Sequence, residues 1–249
     1  MPFVNVDGEN IHFLMSGDQG PGLVLIHGSG SNHAAWPMEI LTLPGVRVAA
    51  LDLPGHGRSG GRARDSVEEY ARVVDQAVLA MGLDRAFVCG HSLGGAVALS
   101  LALDNPPWLA GIALVGSGAR LKVNPLIMEA IAKDFQQALA FMDSFLFAPG
   151  ADPELVKGAR ALAEASGPEV LLTDFTACDR FDVMKRLAEI QVPALVVVAD
   201  RDQLTPPKYG QYLAANIPGA RLVSLSGAGH VMMMEKPAEV AAALADFAR

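Results

Sequence analysis

The chain has only two cysteines, Cys89 and Cys178, among 249 residues. Two thiols make no disulfide framework, and neither sits at metal-ligand spacing, so a reducing cytoplasm is the simplest home. Charge is also sparse, at 18% of residues, and it leans acidic, with 27 Asp and Glu against 19 Lys and Arg for a formal net charge of -8. No Lys/Arg cluster offsets that balance. Such a chain repels phosphate backbones and anionic lipid heads, which argues against nucleic acid or a membrane as partner. Long hydrophobic runs are missing as well. Stretches such as Leu23 to Ile26 and Leu195 to Ala199 fall far short of the roughly 18 residues that span a bilayer. Near the N-terminus, Asp7 and Glu9 stand where a secretory signal would need basic residues and then an apolar run, so no export signal is expected.

Apolar residues dominate what is present, at 51%, while 25 Gly and 16 Pro are scattered as punctuation. At this length one hydrophobic core with an insertion is expected rather than two domains. Short β-branched runs alternate with helix-period segments, the pattern of a mainly parallel sheet covered by helices on both faces. The predicted strands are Phe3 to Val6, Ile11 to Met15, Leu23 to Ile26, Val46 to Leu51, Ala86 to Cys89, Ile112 to Val115, Ala194 to Ala199 and Arg221 to Leu225. The first two read as a hairpin turning at Asp7-Gly8.

The clearest helix opens at Ser66, which forms a capping box with Glu69, and aligns Val67, Tyr70, Val74, Val78 and Met81 before Gly82 stops it. Others are expected from about Gly94 to Asp104 and from Pro237 onward, the latter turning Val240, Leu244 and Phe247 inward. Between Arg120 and Glu189 the strand rhythm disappears. That segment reads as four or five short helices broken at Pro149-Gly150 and Gly167-Pro168, a helical lid (120–189) inserted into a core of residues 1–119 and 190–249. It holds six of the ten phenylalanines: Phe135, Phe141, Phe145, Phe147, Phe175 and Phe181. About half of these rings should form the lid's own packing, since aromatic residues at helical spacing usually do.

The stretch that carries chemistry is Gly90-His91-Ser92-Leu93-Gly94, a G-x-S-x-G sequence between a predicted strand and a predicted helix. A turn that tight leaves no room for side chains at either glycine and strains Ser92 so that its hydroxyl stands clear of the sheet. The helix beyond it aims backbone N–H groups at any oxyanion formed there. A serine hydroxyl is a weak nucleophile at neutral pH, so an imidazole must take its proton and a carboxylate must orient that imidazole.

These motifs resemble the α/β-hydrolase fold family, over nearly the whole chain. The matching landmarks are His27-Gly28-Ser29-Gly30, Asp52-Leu53-Pro54-Gly55-His56-Gly57-Arg58-Ser59, the elbow at Ser92, Ala199-Asp200-Arg201-Asp202 and Gly229-His230. Ala199 departs from the glycine common in relatives. The resemblance implies an eight-stranded, mainly parallel sheet and a triad of Ser92, Asp202 and His230 in that chain order. It favours Asp202 over Asp200 as the acid, with Asp200 kept as the alternative. The family arrangement also implies an oxyanion hole from the backbone N–H groups of Ser29 and Leu93. His27, His56 and His91 fall in turn motifs and are expected to bond loops or line the pocket, and His12 and His33 give no signal. No metal-site spacing is visible, and this chemistry needs neither metal nor cofactor.

Gly55 to Gly60 formally matches a G-x-G-x-x-G dinucleotide loop, but no helix follows until about Ser66 and no acid-ended strand lies at the required distance. Ser92 sets aside the epoxide hydrolases and dehalogenases of the fold, which use aspartate at the elbow. Ester or lactone hydrolysis on a small-molecule substrate is the leading expectation. Thioesterase, carbon-carbon hydrolase and perhydrolase activities share the triad, and a non-catalytic receptor on the same fold is the reading from another class. Phe135, Phe141, Met142, Phe145 and Val231 are the candidate pocket residues, and the oligomeric state is left open.

Overall fold

The computed structural model describes residues 2–248. Eight strands form one sheet: β1 (Phe3–Val6), β2 (Glu9–Ser16), β3 (Gly22–Ile26), β4 (Arg47–Leu51), β5 (Ala86–His91), β6 (Leu109–Val115), β7 (Ala194–Ala199) and β8 (Arg221–Leu225). Their spatial order is β1-β2-β4-β3-β5-β6-β7-β8. Only β2 runs against its neighbours, because β1 and β2 are joined by the expected tight hairpin with Val6 opposite Glu9. Asp7 and Gly8 both take positive φ, 49° and 87°, the turn geometry that matches strand twist.

The central strands are apolar on both faces because helices cover both. On β3, Val24 and Ile26 enter one core while Leu23 and Leu25 enter the other. On β7, Val196 and Val198 alternate in the same way with Leu195 and Val197. This period-2 segregation is what a buried parallel sheet requires. The helices are α1 (Met38–Leu41), α2 (Val67–Ala80), α3 (Leu93–Asp104), α4 (Pro125–Lys133), α5 (Phe135–Leu146), α6 (Pro153–Arg180), α7 (Pro207–Asn216), α8 (Met232–Glu235) and α9 (Pro237–Phe247). Buried residues of α2, α3 and α7 belong to one core, and those of α1, α8 and α9 to the other. Ser66 caps α2 by accepting the N–H of Glu69 at 3.2 Å. Met81, the half-buried C-cap of that helix, packs against the same core as the rest of its inward face.

Between β6 and β7 the chain is helical, with a short 3-10 turn at Leu187–Glu189. The expected break at Gly167-Pro168 is present: α6 is two helices that abut there, so with α4 and α5 the segment holds four. Gly167 leaves helical geometry there at φ 82°. Proline at the next position has no N–H to donate to the preceding turn, and it opens the second helix of the pair. Ile131, Ala138, Leu139 and Leu171 form a small core of their own, with Phe135 and Phe175 packed against it. No helix among the described residues is long and apolar enough to cross a membrane.

Candidate active site

Ser92 lies at the end of β5, as the N-cap of α3, with φ 53° and ψ -114°. That conformation costs a non-glycine residue about 1–3 kcal/mol, and it persists only where surroundings over-determine it. Four hydrogen bonds do so. The Ser92 N–H donates to the Val115 carbonyl at 3.0 Å, and its own carbonyl accepts from Gly95 N (2.9 Å), Ala96 N (3.2 Å) and Ser117 Oγ (2.8 Å). The glycines serve the steric need read from the sequence: a Cβ on Gly90 would sit 2.0 Å from the Gly94 carbonyl oxygen, and one on Gly94 2.2 Å from that of Ile26.

His230 follows β8 and is buried. Its Nδ1 lies 3.0 and 3.1 Å from the two carboxylate oxygens of Asp202. An acceptor at that position keeps the proton on Nδ1 and leaves Nε2 as the basic nitrogen. The same carboxylate accepts from Leu204 N (2.9 Å), Thr205 N (2.8 Å) and Thr205 Oγ1 (2.7 Å). Burial works to raise the Asp202 pKa, but the His230 ring and these donors prevail and hold it below its ordinary value. Asp200 is exposed and turned elsewhere, accepting from Gly227 N at 2.7 Å and Ser226 Oγ at 3.1 Å. The structure thus pairs Asp202, not Asp200, with the histidine.

Ser29 and Leu93 flank the nucleophile position. A Cβ on Gly28 would lie 3.3 Å from that of Ser92, which shows how closely the loop after β3 passes the elbow. Neither Ser29 N–H nor Leu93 N–H donates to a protein acceptor among the described residues, so both are available to a ligand.

Two cavities meet here, sharing Ser29, Ser92, Met142, Phe175, Leu204 and His230. One extends toward Leu139, Leu162 and Val231 and is rimmed by the Arg160–Asp143 ion pair. The other runs past Phe145, Cys178 and Tyr209. Of the candidate pocket residues, Met142, Phe145 and Val231 line these cavities. Phe135 and Phe141 do not: Phe135 packs into the small helical core, and Phe141 is 58% exposed, edge-to-face with Phe145. The rotation of α5 about its axis decides this, and periodicity alone leaves it open. Phe147 and Phe181 are also packing residues, in the two sheet cores.

Sequence reading missed Phe175 and Leu204 as wall residues, and Asp174 altogether. Asp174 had a signal, as the one acid in the otherwise uncharged stretch Val170 to Cys178. The other histidines hold loops. His27 Nδ1 donates to the Gly28 carbonyl at 2.8 Å while its Nε2 accepts the Leu53 N–H at 3.0 Å, so the ring is neutral. Burial, then the neighbouring His56, lowers its pKa to about 4. His12 and His33, silent in the sequence, both bond Asp52, at 2.9 and 2.7 Å. Among the described residues this trio is the one group near enough to hold a metal ion. It is built as a hydrogen-bonded node, since Asp52 also accepts the N–H groups of His33 and Arg58.

Sheet order, elbow and buried Asp–His pair together define a hydrolase built on the α/β-hydrolase fold. Residues 23–243 match the model of the alpha/beta hydrolase family, and the chain belongs to it. It is 32% identical over 240 residues to a pimeloyl-[acyl-carrier protein] methyl ester esterase from Neisseria meningitidis, covering 90% of this chain and 75% of that one. A solved thermophilic esterase superposes with a TM-score of 0.89 at 38% identity, covering 99% of this chain and 96% of the other. A solved enzyme that degrades N-acyl homoserine lactones superposes at 0.86 with 28% identity, covering 99% and 100%.

Proposed function

We propose that this protein hydrolyses carboxylic esters or lactones of small to medium apolar substrates through an acyl-enzyme on Ser92. One observation carries the reading: a strained, cavity-facing Ser92 shares its cavity with His230, whose Nδ1 is engaged by a buried, multiply bonded Asp202.

The chemistry follows from those positions. Ser92 Oγ attacks the substrate carbonyl as His230 Nε2 takes its proton. The carbonyl oxygen gains the negative charge and is received by the N–H groups of Ser29 and Leu93. Such donors are worth on the order of 3 kcal/mol each, because they are already oriented when charge develops. The imidazolium returns its proton to the departing alkoxide, and the tetrahedral intermediate collapses to an acyl-serine and an alcohol. Water, losing a proton to His230, then attacks the acyl carbonyl, and as the bond to Ser92 Oγ breaks the imidazolium returns that proton to Oγ, releasing the acid and the free serine. Asp202 keeps the ring in the Nδ1–H tautomer and stabilises the imidazolium.

The helical segment 120–189 serves as a lid over this site and supplies most of the apolar wall. The two arms of the cavity give the acyl and alcohol portions separate places. Acidic residues outnumber basic ones in that segment, which disfavours polyanionic substrates such as acyl-coenzyme A. With both thiols unpaired and buried, we place the protein in the cytoplasm. A panel of p-nitrophenyl esters, lactones and acyl thioesters tests the assignment. Esters of about two to eight carbons should show the highest kcat/KM, as the apolar walls imply. A thioester turned over more efficiently than every ester, or failure of a fluorophosphonate to label Ser92, would overturn it.

A further inference from the structure

Asp174 is a completely buried carboxylate on α6, beyond the Gly167 kink, and the triad chemistry makes no use of it. It gathers three donors from three different parts of the core. The N–H of Gly30 reaches its Oδ2 at 2.8 Å, His56 Nε2 donates to the same oxygen at 2.9 Å, and the Tyr70 hydroxyl donates to Oδ1 at 2.6 Å. Burial works to lower the His56 pKa, yet the adjacent Asp174 raises it above the ordinary value. Burial and the same carboxylate push the Tyr70 phenol up, so it stays a donor.

Burying a paired charge is a poor route to stability, since desolvation costs several kcal/mol and apolar residues of the same volume often do as well. What the arrangement supplies is orientation. Gly30 directly follows Ser29, the donor assigned to the oxyanion, and it sits at φ +62° with Leu171 Cδ1 2.9 Å from where a Cβ would be. Cys178 Sγ is 3.7 Å from Ser29 Oγ. Leu171, Asp174, Phe175 and Cys178 recur at i, i+3, i+4 and i+7, so a single face of α6 lies along the loop after β3.

We propose that Asp174 is a positioning residue for catalysis: from the lid helix it holds the Ser29–Gly30 peptide, and through it aims the Ser29 N–H at the developing oxyanion. The C-terminal half of α6 is then a fixed wall of the oxyanion loop rather than a cover that lifts away. This rests on the ester-hydrolase reading of Ser92 and Ser29.

The test compares Asp174→Asn, Asp174→Leu and Tyr70→Phe with the wild-type chain. The assays are p-nitrophenyl ester turnover, inhibition by a boronic acid that becomes tetrahedral on serine, and thermal melting. Asp174→Leu should lose about a hundredfold in kcat with KM nearly unchanged, because a misaimed oxyanion donor is felt only in the transition state. Boronate affinity should fall in parallel. Asparagine can still accept the Gly30 N–H, so Asp174→Asn should recover most of kcat and of boronate affinity. Tyr70→Phe should lower the melting temperature and leave kcat within about twofold, as it spares the Gly30 bond. Should Asp174→Leu fail to fold, Asp174→Ala at reduced temperature takes its place, with boronate affinity relative to KM as the readout. Losses confined to KM, or kcat losses that track melting temperature across all variants including Tyr70→Phe, would overturn the proposal. So would wild-type kcat in a folded Asp174→Leu. If the wild-type chain turns over no ester and Ser92 resists the fluorophosphonate, the hydrolase reading itself falls. Failure of the Asp174 role alone leaves Ser92-dependent turnover intact.

Discussion

The rings of His91 and His230 lie 4.8 Å apart, and the Nε2–H of His91 donates to the backbone carbonyl of His230 at 3.0 Å. The residue before the nucleophile thus supports the backbone of the proposed general base. Burial, and then the proximity of His230, lowers the His91 pKa to about 3. His91 consequently stays neutral wherever the triad works and does not oppose the imidazolium that forms beside it. The acid limb of kcat/KM should follow a single proton, measured as a limiting slope of one in a pH-rate profile. A slope of two would show that a second group takes up a proton over the same range.

The same buried histidines make stability depend on pH. His27 and His91 have folded pKa values of about 4 and about 3, against an ordinary value of 6.5. Below pH 6.5 the unfolded chain binds protons that the folded one refuses, so stability falls as pH drops toward 4. Each histidine should contribute on the order of 1–2 kcal/mol of loss at pH 5. The raised pKa of His56 acts in the opposite sense, its contribution being complete below pH 6.5 and lost as pH rises above it. Urea melts at pH 7, 6 and 5 would check this, and constant stability across them would contradict it.

Ser92 provides a test that separates strain from catalysis. Ser92→Ala should abolish ester turnover while melting within a few degrees of wild type, because alanine suffers the same φ of 53°. Ser92→Gly should be equally inactive yet more stable by about 1 kcal/mol, since glycine adopts positive φ without penalty. A glycine variant less stable than the alanine variant would show that the elbow stores no strain.

The two aspartates after β7 should behave differently. Asp202→Asn should lower kcat by about 10⁴-fold, through the wrong histidine tautomer. Asp200→Asn, on an exposed loop contact, should leave kcat within about threefold, as surface substitutions generally do. Steady-state kinetics on one p-nitrophenyl ester decides between them. The reverse order would assign the acid to Asp200.

Much of this molecule is legible in its sequence because the determinants are local. A short continuous apolar run such as Leu23 to Ile26, bounded by Gly22 on one side and His27-Gly28 on the other, fits a strand buried on both faces. The spacing of Gly90, Ser92 and Gly94 specifies a turn that no other residues would fit. The triad of Ser92, Asp202 and His230 was readable only through the resemblance to the α/β-hydrolase family, whose chain order it keeps. Tertiary structure alone decided which way side chains face once distant elements meet. It turned Asp202 toward His230 and Asp200 toward Gly227, sent Phe145 into the cavity and Phe135 into the helical core, and left Phe141 in solvent. It also brought Asp174 to Gly30 across 144 residues, and His12 and His33 to Asp52. Periodicity tells which residues share a face, but the neighbour that face meets is set by how helices rotate and loops close over the sheet. Such pairings leave no spacing in the chain to read.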